Sequence, residues 1–378
     1  MRVPTAGPRL SGRFWGYGWR TTSAAILGLI VWGVATPIST ALAAVGAEPI
    51  AGERPFGKPP AAAILPAVVR MPLDVQPHAI GTASAAAIAQ WVRDLDDDAY
   101  LVRRQAEISL IGLGAPALAA VEPACRSHSA EVRARARRIV VVVRHGQLAA
   151  GFRALGEMPD HAVDVEAGMI LISQLIDPTT DPAWIRRELD AWAHRVRQRL
   201  GDMDPRAASP QQVIDAMCQT LFGPDGFEGA SGNFDDPRNS ALSHVLKRRA
   251  GLPILLSHVA VAIGARLGVP LEGVALPYRY MFKYDGSRAP AGFPKADIIV
   301  DAFGGGRVVN EDDLEDIITG LGGGFDPLRH LKNCPRRETL SRMLRNVELD
   351  FYLERDSLKA FQARFFRRLL EGEGSTQQ

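Results

Sequence analysis

At 378 residues and 47% hydrophobic, the chain has room for two domains plus tails and enough apolar side chains to bury a core. Its formal net charge of +2 excludes a protein drawn by charge alone to nucleic acid or to an acidic membrane surface. The three cysteines, Cys125, Cys218 and Cys334, are far apart, so there is no disulfide framework and no paired metal-ligand spacing, and neither a metal nor another cofactor is expected.

Residues 1–43 read as an export leader. Arg2, Arg9, Arg13 and Arg20 precede an apolar core from Ala24 to Ala35, and Ala41-Leu42-Ala43 supplies the small-x-small pattern that a signal peptidase needs. The alternative is an uncleaved anchor, because Ala24 to Val45 is just long enough to span a bilayer; Thr36, Pro37, Ser39 and Thr40 weigh against it. Either way the remaining chain is expected outside the cytoplasm, in the periplasm or cell envelope, with membrane contact only through an uncleaved leader. Residues 44–82, rich in Ala, Pro and Gly, read as a flexible linker.

Periodicity begins at residue 83. The spacing predicts a helix ending near Asp94, a turn at Asp96-Asp97-Asp98, a second helix from Tyr100 to Ile111, a third from Pro116 and a fourth from Glu131. Val102, Arg103 and Ala106 return as Val132, Arg133 and Ala136. Paired helices with this V-R-x-x-A echo resemble HEAT-like repeats, and with about two units in residues 83–150 they are too few to stand alone. Arg133, Arg135, Arg137 and Arg138 read as a solvated helix face. A nucleic-acid stripe would carry interleaved aromatics, and no nucleic-acid partner is expected.

Residues 151–235 form the helical leading part of the next domain. Met169, Ile170, Ile172, Leu175 and Ile176 make one apolar stripe, Trp184, Leu189 and Trp192 another, and Pro210 to Phe222 a third helix whose Cys218 reads as a small core residue. Residues 236–372 complete that domain. DPRNSALSHVLKRRAGLPILLSHVAVAIGARLGVPLEGVALP reads as a short helix, a break at Gly251, a helix from Pro253 to Leu267 that is apolar nearly all round, and a strand from Leu271 to Leu276. Tyr278 to Tyr284 and Ile298 to Asp301 are the next strands, Gly304-Gly305-Gly306 is a tight turn, Asn310 with Asp313 a helix cap, and the chain closes in helices from Glu338 and Ser357.

The phrases PRNSALSHVLKRRAGLPILLS, ARLGVPLEGVALP and DAFGGG, with Val165–Arg199 before them and Leu340–Asp356 after, resemble the transglutaminase-like core 2 family, the SirB-type regulator proteins. The resemblance implies an α+β, papain/transglutaminase-like fold: a central helix on an antiparallel sheet, here preceded by the HEAT-like helices. In active relatives a Cys opens the central helix, a His follows on the next strand and an Asp on the one after. The helix N-terminus stabilises the thiolate, the His takes its proton and the Asp orients the His. Matched by motif, the Cys position holds Pro253 and the His position holds Arg279, within PYRYMF; Asp301 is kept. Proline has no nucleophile, and arginine is no base near neutral pH. The expectation is a degenerate site with no catalytic residues, in which Arg279 points at the vanished centre and pairs with Asp301.

Asn239 reads as a cap or loop-fixing amide. Ser257 and His258 are polar groups in or beside the core that, as neighbours on a helix, do not face each other, and Tyr280 lies on the strand face opposite Arg279. These four are the candidate cleft-binding residues. The sequence favours a non-catalytic protein- or peptide-binding, scaffold or regulatory module. The alternative is a cysteine-peptidase or acyl-transfer enzyme with a relocated nucleophile, recognisable by a Cys or Ser within hydrogen-bond reach of a His.

Overall fold

The computed structural model describes residues 83–372 apart from 231, 233, 278 and 321–323. The expected leader and the linker at 44–82 lie outside the described residues, as does Tyr278.

Four helices open the described chain: α1 (Ala85–Asp94), α2 (Tyr100–Leu113), α3 (Leu118–Ala124), entered by a 3₁₀ turn at Ala115–Ala117, and α4 (Ala130–Glu157). Ser84 and Ser129 cap α1 and α4 with their hydroxyls. The echo in the sequence is an echo in geometry. Arg103 Nη1 donates to the carbonyls of Asp97 and Asp98 at 2.7 and 2.8 Å, and Arg133 Nη1 donates to those of Ser127 and His128 at 2.8 Å. In both units the arginine near the helix start satisfies the two carbonyls of the turn before it, and the following alanine, Ala106 or Ala136, is buried where the helices meet.

The boundary expected at residue 150 falls inside α4. Its first half buries Val132, Ala136, Ile139 and Val143 against α1–α3; its second half buries Leu148, Phe152 and Leu155 in the main core. One helix thus serves two cores, and Gly156 lets its last turn approach α13 (Ser357–Leu370) backbone to backbone.

The main core is built around α9 (Pro253–Leu267), in which Leu256, Val259, Ala260 and Ile263 are fully buried. It starts on a proline, whose missing N–H has no partner to lose in a first turn, and stops at Gly268, whose φ of 71° is left-handed. One side of α9 packs on α6 (Pro182–Leu200), and the other lies on the antiparallel sheet β3 (Leu271–Leu276), β4 (Arg279–Tyr284), β5 (Ile298–Asp301) and β6 (Arg307–Val309), ordered β3-β4-β5-β6. The strands alternate as period-two chains must. Tyr280, Phe282, Tyr284 and Val300 join the α9 core, while Val274, Leu276, Met281, Ile299 and Val309 pack with Leu314 and Ile318 of α10 (Glu311–Thr319) on the other face. Asn310 and Asp313 close the expected capping box on α10. Around this centre stand α5 (Val165–Ile176), α7 (Pro210–Leu221), α8 (Leu242–Arg248), a one-turn α11 (Pro327–His330) and α12 (Arg336–Leu353), with a two-residue parallel bridge of β1 (Glu228–Gly229) to β2 (Ala250–Gly251).

Two glycines of α4 should respond oppositely to alanine. A Cβ at Gly156 would sit 2.5 Å from the Leu369 carbonyl oxygen, whereas one at Gly146 meets nothing within 4 Å. Gly156→Ala is expected to lower unfolding free energy by about 1–3 kcal/mol and Gly146→Ala to raise it by about 0.5–1 kcal/mol, read by urea titration.

Candidate functional site

Asp301 ends β5, and the glycine turn that follows folds back on it: Gly304 N–H donates to its Oδ1 at 3.0 Å and Gly306 N–H to its carbonyl at 2.9 Å. A Cβ at Gly304 would lie 2.7 Å from Oδ2, so this carboxylate requires the first glycine of DAFGGG, while Gly305 and Gly306 hold positive φ angles of 80° and 75°. Arg279, at the start of β4, donates from Nη1 to Asp301 Oδ2 at 3.1 Å. The arginine is about half exposed and the aspartate is buried. Arg279 and Asp301, the two residues the resemblance matches to the family's His and Asp, therefore form a charge-assisted pair.

The direction of that pair differs from the sequence expectation. Arg279 is paired in register with Leu276, which belongs to the α10 face, and Asp301 is two residues from Ile299 on that same face. The short β3–β4 connection ties the two parities together, so burying Leu276 against α10 carries Arg279 to the same side. Among the described residues, no hydrogen bond joins Arg279 or Asp301 to the first turn of α9. Pro253 opens that turn, Leu252 caps it without a side-chain bond, and Ile254, Leu255 and Leu256 follow. The helix N-terminus, the place where a thiolate gains from the helix dipole, presents apolar groups.

Of the other candidate residues, Ser257, His258 and Tyr280 come together and Asn239 stands apart. Asn239, buried in the 3₁₀ turn Pro237–Ser240, accepts from Arg248 Nη2 at 2.8 Å, and its carbonyl receives the Leu252 N–H at 3.4 Å; it fixes the loop before the central helix. Ser257, fully buried, donates to the Tyr280 carbonyl at 3.3 Å. His258 Nε2 lies 2.9 Å from Tyr280 Oη, which lies 2.9 Å from Thr339 Oγ1 on α12, and the Cys334 thiol joins the same group. Gly273 makes the room: a Cβ there would sit 2.2 Å from Tyr280 Oη and 3.0 Å from His258 Nε2. This relay lies at the wall of a cavity of about 500 Å³ between α5, α9, β3 and the start of α12. Sequence reading missed Cys334 and Thr339 as members, because they arrive from a distant loop and helix and no spacing connects them to His258.

A Cys and a His thus do approach one another, with a tyrosine between them. Burial disfavours the charged form of each of them. Burial, with a smaller push from Arg336, drops the His258 imidazole from its ordinary 6.5 to about 3. Burial raises the Cys334 thiol and lifts Tyr280 well above the usual phenol range. The Cys218 thiol is likewise pushed up, to about 12, mainly by burial and then by Asp215. His244 meets Asp177 at 3.3 Å rather than a nucleophile. No group of three or more His, Cys, Asp or Glu side chains that would hold a metal occurs among the described residues.

Neutral His258 has a stability signature. Its folded value is depressed, so the unfolded chain takes up the proton first, and stability is lost as pH falls from about 6.5 towards 3. His258→Gln should flatten this acid limb relative to wild type by up to about 1.4 kcal/mol per pH unit, the slope of one proton. The check is urea unfolding of both proteins at a series of pH values.

Residues 183–345 match the family model of the transglutaminase-like superfamily, core 2 type. A UPF0162 protein of Xylella fastidiosa (strain 9a5c) is 32% identical over 139 residues, covering 35% of this chain and 46% of that one. A UPF0162 protein of Pseudomonas aeruginosa is 30% identical over 176 residues, 45% of this chain and 58% of its own. Human F-box only protein 21 is 26% identical over 202 residues, 48% of this chain and 32% of its own. The chain thus spans about half the length, or less, of most of these relatives. No solved structure matches it. With an antiparallel sheet against a buried central helix, and with the helix, strand and glycine-turn phrases of the family in order, the chain carries a transglutaminase-like domain over residues 183–345.

Proposed function

We propose that this is a non-catalytic transglutaminase-like protein that binds a protein or peptide partner, as a scaffold or regulatory module of SirB type, in the cell envelope. The observation that carries the reading is the occupation of the two reactive positions: a proline opens the central helix, and the arginine in place of the base is tied to Asp301 at 3.1 Å. Without nucleophile or base the positional logic of a Cys-His-Asp site is lost, while the fold around it is retained. A fold kept without its chemistry is best explained by binding. The HEAT-like helices, sharing α4 with the main core, add an extended surface to the same body. The envelope assignment rests on the leader at residues 1–43.

The competing reading, a relocated nucleophile, has one specific observation in its favour, the Cys334–Tyr280–His258 relay. A protonated thiol and a neutral, buried imidazole weigh against it.

Incubation of the full chain with peptide esters and amine acceptors is expected to give no product above the uncatalysed rate. Turnover that disappears in Cys334→Ala or His258→Gln would move the protein to the enzyme class. Fractionation of cells expressing the full chain should recover it with the periplasm or envelope; recovery with cytosolic markers would contradict that placement.

A further inference from the structure

At the C-terminal ends of α6 and α7, a pocket of about 860 Å³ is lined by Trp192, Arg195, Arg199, Gln219, Thr220 and Arg249. Three guanidinium groups meet there, and among the described residues none of them has a carboxylate within 4.0 Å, in a protein whose arginines are widely ion-paired. Each is instead held by a neutral partner. Arg195 lies over the Trp192 ring, 4.3 Å from its centroid. Arg199 donates to Thr220 Oγ1 at 3.0 Å and to Gln219 Oε1 at 3.1 Å. Arg249 donates to the Asp225 carbonyl at 2.9 Å, and its ring neighbour is again Trp192, at 5.9 Å.

Two features carry a cost in the free protein, and the first of them is relieved by an anion. Arg195 and Arg199 are like charges one helical turn apart, which destabilises a helix. Arg249 sits at the end of α8 with φ 56° and ψ 29°, a left-handed conformation that glycine adopts freely and a side chain adopts at a cost. The carboxyl ends of α6 and α7 point to this region, but each contributes only about half a negative charge, so two helices leave a clear positive surplus.

We propose that this pocket is an oxyanion site that takes a phosphomonoester on a small soluble molecule. Guanidinium forks match phosphate oxygens bidentately, a phosphomonoester carries close to two negative charges at neutral pH, and forks fixed in advance lose little freedom on binding. Gln219, whose oxygen is taken by Arg199, keeps its amide N–H groups for a further acceptor. This site is independent of whether the transglutaminase-like centre has chemistry.

The test is calorimetric titration of the full chain with phenyl phosphate and, as the monoanion on the same ring, benzoate. Phenyl phosphate should bind at least about tenfold more tightly, and Arg195→Gln and Arg249→Gly should each weaken it by about tenfold. Arg249→Gly is the control for folding, since glycine relaxes the left-handed residue and the melting temperature should hold or rise. Equal binding of the two ligands, or undiminished binding by both variants, would overturn the proposal. So would binding to phosphatidic-acid vesicles without binding to phenyl phosphate, which would mark a charged surface rather than a site.

Discussion

Everything in the larger domain depends on burying α9. A helix that is apolar nearly all round can be stable only if it is covered on all sides, and each fully buried Leu, Ile or Val contributes about 1.5–3 kcal/mol when it is. The sheet covers one side, α6 another, and α5, α8 and α12 complete the enclosure. The polar side chains this helix brings inside must then find partners within the shell. Ser257 finds a backbone carbonyl of β4, and His258 finds a phenol that in turn finds Thr339 and Cys334. The relay is therefore what burial demands of a histidine in such a helix. Its depressed protonation follows from the same enclosure.

The same constraint shapes the residues at Pro253, Arg279 and Asp301. A helix start that opens on proline and continues Ile-Leu-Leu is part of the core. Asp301, fixed by its glycine turn and by register, retains a buried carboxylate that needs a positive or hydrogen-bonding partner. Arg279 answers that need from the neighbouring strand. Arg279 and Asp301 thus form a structural clasp on the face of the sheet that packs on α10.

Much of this was legible in the chain because it is written locally. Gly251 and Pro253 mark the break and restart that the structure shows, Gly268 stops α9, Leu271–Leu276 is the strand, and Asn310 with Asp313 caps the next helix. The V-R-x-x-A echo correctly announced paired helices, although its physical meaning, an arginine tying off the carbonyls of the preceding turn, needed coordinates. What could not be read is non-local. No spacing connects His258 to Thr339. The continuation of α4 past residue 150 was hidden because its apolar stripe changes partner midway and Gly146, Gly151 and Gly156 resemble breaks. The side of the sheet that Arg279 takes depends on which face Leu276 must occupy, a choice made by α10 more than thirty residues further on.

A non-catalytic role requires that no cysteine be an activated nucleophile. The most direct measurement is the rate of alkylation of each cysteine by iodoacetamide in the folded full chain at pH 7, followed by peptide mass mapping. Thiols held protonated by burial, as at Cys218 and Cys334, should react more slowly than free cysteine. A single cysteine alkylated faster than free cysteine, with that excess lost in His258→Gln, would show a thiolate–imidazole couple at work and contradict the account.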